Sequence, residues 1–268
     1  MNWVLLRGLT REARHWGRFP QQMAQIPVIA NVNQTSGLNT PLYQASVLAL
    51  DLPGNGAFYR QRSPHSVRGT LECARQQLRA QGCQPPYCLL AMSLGGMVAA
   101  DWAQRYPDEI SRLVLVNTSM RPFSRPDQRL RPGNWLPLAL LAALWRNADY
   151  AERVIHQLTC HPVASPASAC DADVAAWVKI RKSAPVSPAN AWRQFRAAAG
   201  FSCALEPPRC PTLVLSSAGD RLVHPLCSTR VANAWQATHK EHPWAGHDLP
   251  HDDPDWVCQR IAGWLGMS

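Results

Sequence analysis

The amino-acid sequence predicts an α/β fold, a mostly parallel doubly wound sheet of about six strands with a helical insertion after the strand at 113–116. Short apolar runs of strand length alternate with stretches of helical period, first up to Asn117 and again from Pro211. Between those points lie only helix-like stretches and prolines. Right-handed crossovers place the intervening helices on both faces of such a sheet, which makes its strands parallel. With 268 residues, 46% hydrophobic and 17% charged, the chain can bury the core of one α/β domain carrying an inserted subdomain. The expected division is 1–119 and 206–268 for the sheet domain and 120–205 for the insertion.

Residues 2–6 read as a buried strand, followed by a turn at Arg7-Gly8-Leu9-Thr10 and a helix near 12–25. Residues 27–32 are a further strand candidate, and 33–43 form a loop without assignment. The strand at 46–50 closes on Asp51-Leu52-Pro53-Gly54-Asn55-Gly56, and 66–81 is helical in pattern. Then come a strand at 87–92, a helix at 94–106 and a strand at 113–116. Helices of the insertion are expected at 138–145, 149–158, 171–182 and 188–199. The sheet resumes with a strand at 211–216, a helix at 226–235, a strand at 239–242 and a last helix at 254–265.

Several function classes are disfavoured by composition. The N-terminus, Met1-Asn2-Trp3-Val4-Leu5-Leu6-Arg7-Gly8, lacks the basic start, long apolar stretch and small-residue cleavage site of an export signal. The apolar stretch at 136–145, interrupted by Pro137, is far short of the roughly 20 residues that cross a bilayer. Nine scattered cysteines with no Cys-x-x-Cys pair disfavour a zinc site or a disulfide framework, and fit buried thiols in a reducing cytoplasm. The net charge of +9, mostly arginine, comes without any nucleic-acid-binding motif and reads as a solvated surface. No cofactor is expected.

Ala91-Met92-Ser93-Leu94-Gly95-Gly96 lies between a predicted strand and a predicted helix. Small residues two positions either side of the serine permit a strained, tight turn that lifts its hydroxyl clear of the backbone. The helix beginning at Leu94 directs its free N–H groups at developing negative charge. A serine hydroxyl needs a base, and His247 follows Trp244-Ala245-Gly246 just beyond the last predicted strand. His251, in the same loop, is the closest rival, with His239 and His242 on the strand itself less suited. Asp220 follows the strand at 211–216 and suits the carboxylate that orients the imidazole, although a turn aspartate is the plainer reading. Asp248 and Asp252 lie too near His247 in sequence to be first choice.

Taken together, Arg7-Gly8-Leu9, Asp51-Leu52-Pro53-Gly54-Asn55-Gly56, Ser93-Leu94-Gly95-Gly96, Gly219-Asp220 and Gly246-His247 resemble the α/β-hydrolase superfamily from end to end. The order Ser93, Asp220, His247 matches that group. The resemblance implies a catalytic triad of these three residues and an oxyanion hole from the backbone N–H groups of Leu9 and Leu94. It also implies that the helical insertion caps the active site and that the usual first two strands are missing. Arg7 stands where the superfamily usually has histidine. The implied activity is hydrolysis of a carboxylic ester through an acyl-enzyme, as in cap-bearing carboxylesterases, among them the methyl esterases acting on an acyl carrier protein in biotin synthesis. The alternatives are a triad-bearing lyase or synthase that abstracts a proton, resembling the menaquinone-pathway synthase or the hydroxynitrile lyases, and an acyl thioesterase.

The insertion concentrates arginines, from Arg121 to Arg196, beside Trp135, Trp145, Trp177 and Trp192. Apolar packing with solvated arginines accounts for this simply. A sharper reading is that the apolar side lines an acyl tunnel and the basic side receives an anionic carrier, an acidic acyl carrier protein or coenzyme A.

Overall fold

In the computed structural model, which describes residues 2–26, 47–164 and 167–266, six runs become strands. These are β1 (Asn2–Leu6), β2 (Val47–Leu50), β3 (Tyr87–Met92), β4 (Ile110–Val116), β5 (Thr212–Ser217) and β6 (Thr238–His242). They form one sheet in the order β2-β1-β3-β4-β5-β6, every neighbouring pair parallel. The sheet is covered on both sides, so its central strands have no polar face: all six residues of β3 are buried. Alternate side chains divide between two cores. Val4, Leu6, Leu89, Ala91, Leu113 and Leu115 point to one, and Trp3, Leu5, Leu90, Met92, Val114 and Val116 to the other.

The helices follow in chain order as α1 (Phe19–Ala24), α2 (Val67–Ala80), α3 (Leu94–Arg105), α4 (Pro126–Arg129), α5 (Trp135–Ala143), α6 (Ala148–Thr159), α7 (Ala167–Ser183), α8 (Pro188–Gly200), α9 (Leu226–Trp235), α10 (Leu249–Asp252) and α11 (Pro254–Leu265). Leu71, Ala74 and Leu78 of α2, Val98 and Trp102 of α3 and Val231 of α9 fill the first core. Phe19 and Met23 of α1 and Val257, Ile261 and Trp264 of α11 fill the second. That distribution makes the sheet doubly wound.

The helix expected near 12–25 is two pieces. A 3-10 turn at Ala13–Trp16 ends at Gly17, whose φ of 55° no continuing helix can adopt, and α1 starts afresh at Phe19. β4 begins three residues before its expected start, and α10 has no counterpart in the expected pattern. The strand candidate at 27–32 and the loop at 33–43 fall outside the described residues. α5 starts at Trp135, with Pro137 in its first turn, where its missing N–H costs nothing. Among the described residues no helix is long and apolar enough to cross a membrane.

α4 to α8 all lie between β4 and β5. Buried charge fastens them to the sheet. Glu152 of α6, 1% exposed, accepts from Arg11 after β1 at 2.5 Å and from Arg181 of α7 at 3.0 Å. Arg121 and Arg129 donate to the last carbonyls of α8 and the residue beyond it, those of Ala198, Ala199, Gly200 and Phe201.

One close contact is testable directly. A Cβ on Gly95, in the first turn of α3, would lie 2.5 Å from the Leu6 carbonyl oxygen and 2.6 Å from that of Arg7. Because both are backbone atoms, Gly95→Ala is expected to cost about 1–3 kcal/mol in urea unfolding. Gly133→Ala, where nothing lies within 4 Å, should stay within about 0.5 kcal/mol of the parent. Equal stability of the two variants would show that the α3–β1 contact is not tight.

Candidate active site

Ser93 sits at the junction of β3 and α3 with φ 53° and ψ −121°, a conformation that L-residues rarely adopt. Its surroundings enforce it. Ser93 N–H donates to Val116 O at 3.1 Å, and Ser93 O accepts from Thr118 Oγ1 at 2.8 Å and from Met97 N–H at 3.2 Å. Gly8 faces the serine so closely that a Cβ there would be 3.1 Å from Ser93 Cβ. The turn leaves the hydroxyl at the C-terminal edge of the sheet.

Asp220 and His247 come together at that edge. Nδ1 of His247 lies 2.7 Å from Asp220 Oδ2, both side chains being almost wholly buried. The other oxygen, Oδ1, accepts from Leu222 N–H at 2.8 Å and Val223 N–H at 2.9 Å, so the carboxylate is fixed in place. Burial would lower the His247 pKa, but the Asp220 carboxylate, with Asp248 assisting, outweighs it and raises the value above the ordinary 6.5. Asn117, itself at φ 44°, holds the loop: its Nδ2 donates to His247 O at 2.9 Å and Gly246 O at 3.2 Å, while its Oδ1 accepts from Ser217 N–H.

Arg7 and Asp248 form a bidentate pair at 2.9 and 2.5 Å across 241 residues of sequence. Their side chains are 2% and 3% exposed. Burial would raise the Asp248 pKa, yet the guanidinium brings it down to about 2. The residue replacing the usual histidine is therefore a counter-ion for the neighbour of His247, and it joins the loop after β1 to the loop after β6. Neither Asn117 nor this pair was singled out from sequence. An asparagine directly after a strand is a signal for a positive-φ position, whereas nothing local announces a pairing of such sequence separation.

Ser93 and His247 line one cavity of about 120 Å³ with Arg7, Gly8, Leu9 and Asp248. Leu9 thus faces the cavity, while the side chain of Leu94 is buried in the core. As the first residue of α3, Leu94 has an N–H without an intrahelical acceptor. Leu9, Leu138, Leu141 and Trp145 also line a second, larger cavity of about 480 Å³, completed by Leu130, Trp135, Ala139, Ala142, Pro188, Ala191, Trp192 and Phe195. That groove is apolar throughout.

The three rival histidines are engaged elsewhere. His251 lies 3.2 Å from Asp173, His239 2.8 Å from Ser216 Oγ, and His242 accepts from Ala245 N–H at 2.9 Å while contacting Asp253 at 3.1 Å. Asp252 accepts from the N–H groups of Gly246 and His161. The arginines of 120–205 are not simply solvated: Arg121, Arg129 and Arg131 bond backbone carbonyls and Arg181 is buried on Glu152. Arg146 and Arg196 are exposed. All nine cysteines are free.

A family model described as the Alpha/beta hydrolase family matches residues 3–260. The chain is 39% identical over 72 residues to the pimeloyl-[acyl-carrier protein] methyl ester esterase of Chromobacterium violaceum, covering 27% of this chain and 26% of that one. It spans less than a third of the length of the curated relatives it matches. Two of the solved structures that share its fold illustrate the likeness. An esterase of Thermogutta terrifontis superposes with a TM-score of 0.68 at 19% identity, covering 100% of this chain and 90% of that one. The enol-lactonase of Burkholderia xenovorans LB400 gives 0.67 at 18% identity, covering 99% and 91%.

Breaking the buried ion pair should be expensive. Arg7→Met leaves the Asp248 carboxylate buried without its counter-ion, and a loss of roughly 3–5 kcal/mol is expected in denaturant unfolding. Adding Asp248→Leu to Arg7→Met should recover part of that loss, because the stranded charge goes with it. Additive losses in the double variant would mean that the two side chains do not act as a pair.

Proposed function

The chain belongs to the alpha/beta hydrolase family, and from that premise we propose that it hydrolyses carboxylic esters through an acyl-enzyme formed on Ser93. The observation that carries this reading is the buried 2.7 Å contact of His247 with Asp220, on a histidine that shares its cavity with Ser93. His247 removes the Ser93 proton through Nε2 as Oγ attacks the ester carbonyl, while Asp220 holds the ring by Nδ1–H and stabilises the imidazolium. The N–H groups of Leu9 and Leu94 receive the oxyanion, with the N-terminus of α3 adding its dipole. The imidazolium then returns the proton to the departing alcohol, and water repeats the cycle to release the acid.

Ser93→Ala should abolish turnover and keep the fold, and a serine-directed phosphonate should add one mass increment to the parent alone. Replacing His247 or Asp220 by Ala should cost several orders of magnitude in kcat, and His251→Ala far less. The base must be neutral to accept a proton. Since Asp220 raises the His247 pKa, kcat/KM should climb with pH through a midpoint above 6.5 and fall away below it. Phosphonate labelling that survives Ser93→Ala, or a rate flat through this range, would rule the mechanism out. Failure on every acyl donor, with the triad still required, would transfer the weight to a proton-abstracting lyase.

The groove supports an acyl chain as the apolar part of the substrate, because its lining is continuous with the cavity at Leu9, Leu138, Leu141 and Trp145. Each methylene taken out of water contributes about 0.8 kcal/mol. Along a series of p-nitrophenyl esters, kcat/KM should therefore rise about fourfold per methylene until the groove is full. A flat series would leave the groove without a role. Exposed Arg146 and Arg196, with the likeness to an esterase named for an acyl-carrier substrate, favour an acidic carrier borne on the acyl part of the ester, the leaving group remaining an alcohol. The same acyl group on a carrier protein should then lose rate with salt and on Arg146→Glu, while the nitrophenyl ester is unaffected. Equal salt dependence of both would discard the carrier.

A further inference from the structure

Three helices bring nitrogen, sulfur and oxygen donors together beside the loop of His247. His156 and Cys160 are four residues apart at the end of α6, so they share one face of that turn. Ligand atoms of His156, Cys160 and His251, the last on α10, all lie within 4.8 Å of one another. Asp173 of α7 adds a carboxylate, its Oδ2 being 3.7 Å from His156 Nε2 and 3.2 Å from His251 Nε2. None of the four lines the cavity at Ser93.

The second observation is His156 Nε2 itself, which is buried with no hydrogen-bond partner on a ring 5% exposed. At 3.7 Å, the Asp173 oxygen is too far for a hydrogen bond. That spacing does suit two ligands of a common ion, because bonds of about 2.0–2.3 Å in a tetrahedron set ligand atoms roughly 3.3–3.7 Å apart. The second ring nitrogen, Nδ1, faces Cys170 Sγ at 3.5 Å. Trp177 closes one side, its ring 5.2 Å from both imidazoles. Asp173 and His251, 31% and 21% exposed, leave a way in from solvent. Arg11, close enough to act on His156 and Cys160, is held on Glu152 at 2.5 Å.

We propose that His156, Cys160, His251 and Asp173 bind a divalent transition-metal ion of the zinc type. Two imidazoles and a thiolate are too soft a set for calcium or magnesium, and one carboxylate completes four-coordination. On binding, the hydrated ion sheds water and the Cys160 thiol releases its proton to solvent, with no change of oxidation state. The ion ties α6 and α7 to α10, which starts two residues after His247. The same loop already rests on α6, since Asp248 N–H donates to Thr159 O at 2.8 Å. The ion is a brace for the histidine loop, and its presence does not depend on the ester chemistry.

The test uses the full chain, stripped with chelator and titrated with Co²⁺ and Zn²⁺ separately. One ion per chain is expected in native mass spectrometry, and the cobalt form should show tetrahedral visible bands with a thiolate-to-cobalt charge-transfer absorption. Cys160→Ser should remove the charge-transfer absorption. Asp173→Asn, a conservative change at a partly exposed side chain, and His156→Ala should each weaken binding roughly tenfold or more. Should Cys160→Ser or His156→Ala fail to fold, Asp173→Asn still decides. No stoichiometric ion, a thiolate band that survives Cys160→Ser, or undiminished affinity in Asp173→Asn would overturn the proposal.

Discussion

The close backbone approach at Ser93 is the constraint from which the site is built. A residue held at φ 53° and ψ −121° costs of order 1–3 kcal/mol and persists only where its surroundings determine it. Here the surroundings are the sheet itself. β4 accepts the Ser93 N–H, Thr118 binds the Ser93 carbonyl, and α3 presses its Gly95 against the end of β1. Any side chain at Gly95 would drive α3 off β1 and release the turn. The serine's exposure is therefore a consequence of how α3 meets three strands, and the loop after β1 is brought to Ser93 by the same contact.

Buried charge does a different task. Arg7–Asp248 and Arg11–Glu152–Arg181 join segments far apart in sequence, each nearly inaccessible to water. Desolvation consumes most of the Coulomb attraction of such groups, so their net stabilisation is small while breaking one side is costly. They act mainly against misplacement. A shift of α6 away from the loop after β1 would strand Glu152, and a shift of the His247 loop would strand Asp248. Two arginines of the insertion, Arg121 and Arg129, follow the same logic, since both are committed to carbonyls at the end of α8.

Much of this was legible in the sequence because strand ends announce themselves. Ser93, Asp220 and His247 each follow a strand, and in a parallel sheet the C-terminal ends share one edge, so their meeting needed no knowledge of side-chain packing. The first five strands were read from their apolar runs, whereas β6, Thr-His-Lys-Glu-His, contains no apolar residue. Where one residue decides, the reading failed. Gly17 splits the helix expected near 12–25, which looks continuous by hydrophobic period. The Arg7–Asp248 pair was invisible, since its two members lie 241 residues apart in sequence. The arginines of the insertion misled for a related reason, because composition cannot distinguish a guanidinium in water from one capping a helix.

The placement of Arg7 bears on how His247 would work as the base of the proposed mechanism. Two carboxylates approach the imidazole, Asp220 by direct contact and Asp248 as its chain neighbour, and both favour the protonated ring. Were both fully felt, the histidine would be charged over more of the neutral range and less able to take a proton from Ser93. Arg7 opposes this in two ways. It lowers the His247 pKa directly, and its pairing with Asp248 offsets part of what that carboxylate adds. Asp220, whose Oδ1 is occupied by two backbone N–H groups, is left as the carboxylate that addresses the ring. An uncharged histidine at the Arg7 position could not neutralise Asp248, so the two residues act as one unit. The arginine makes an acidic residue tolerable next to the proposed base, and the aspartate makes a buried guanidinium tolerable in the loop after β1.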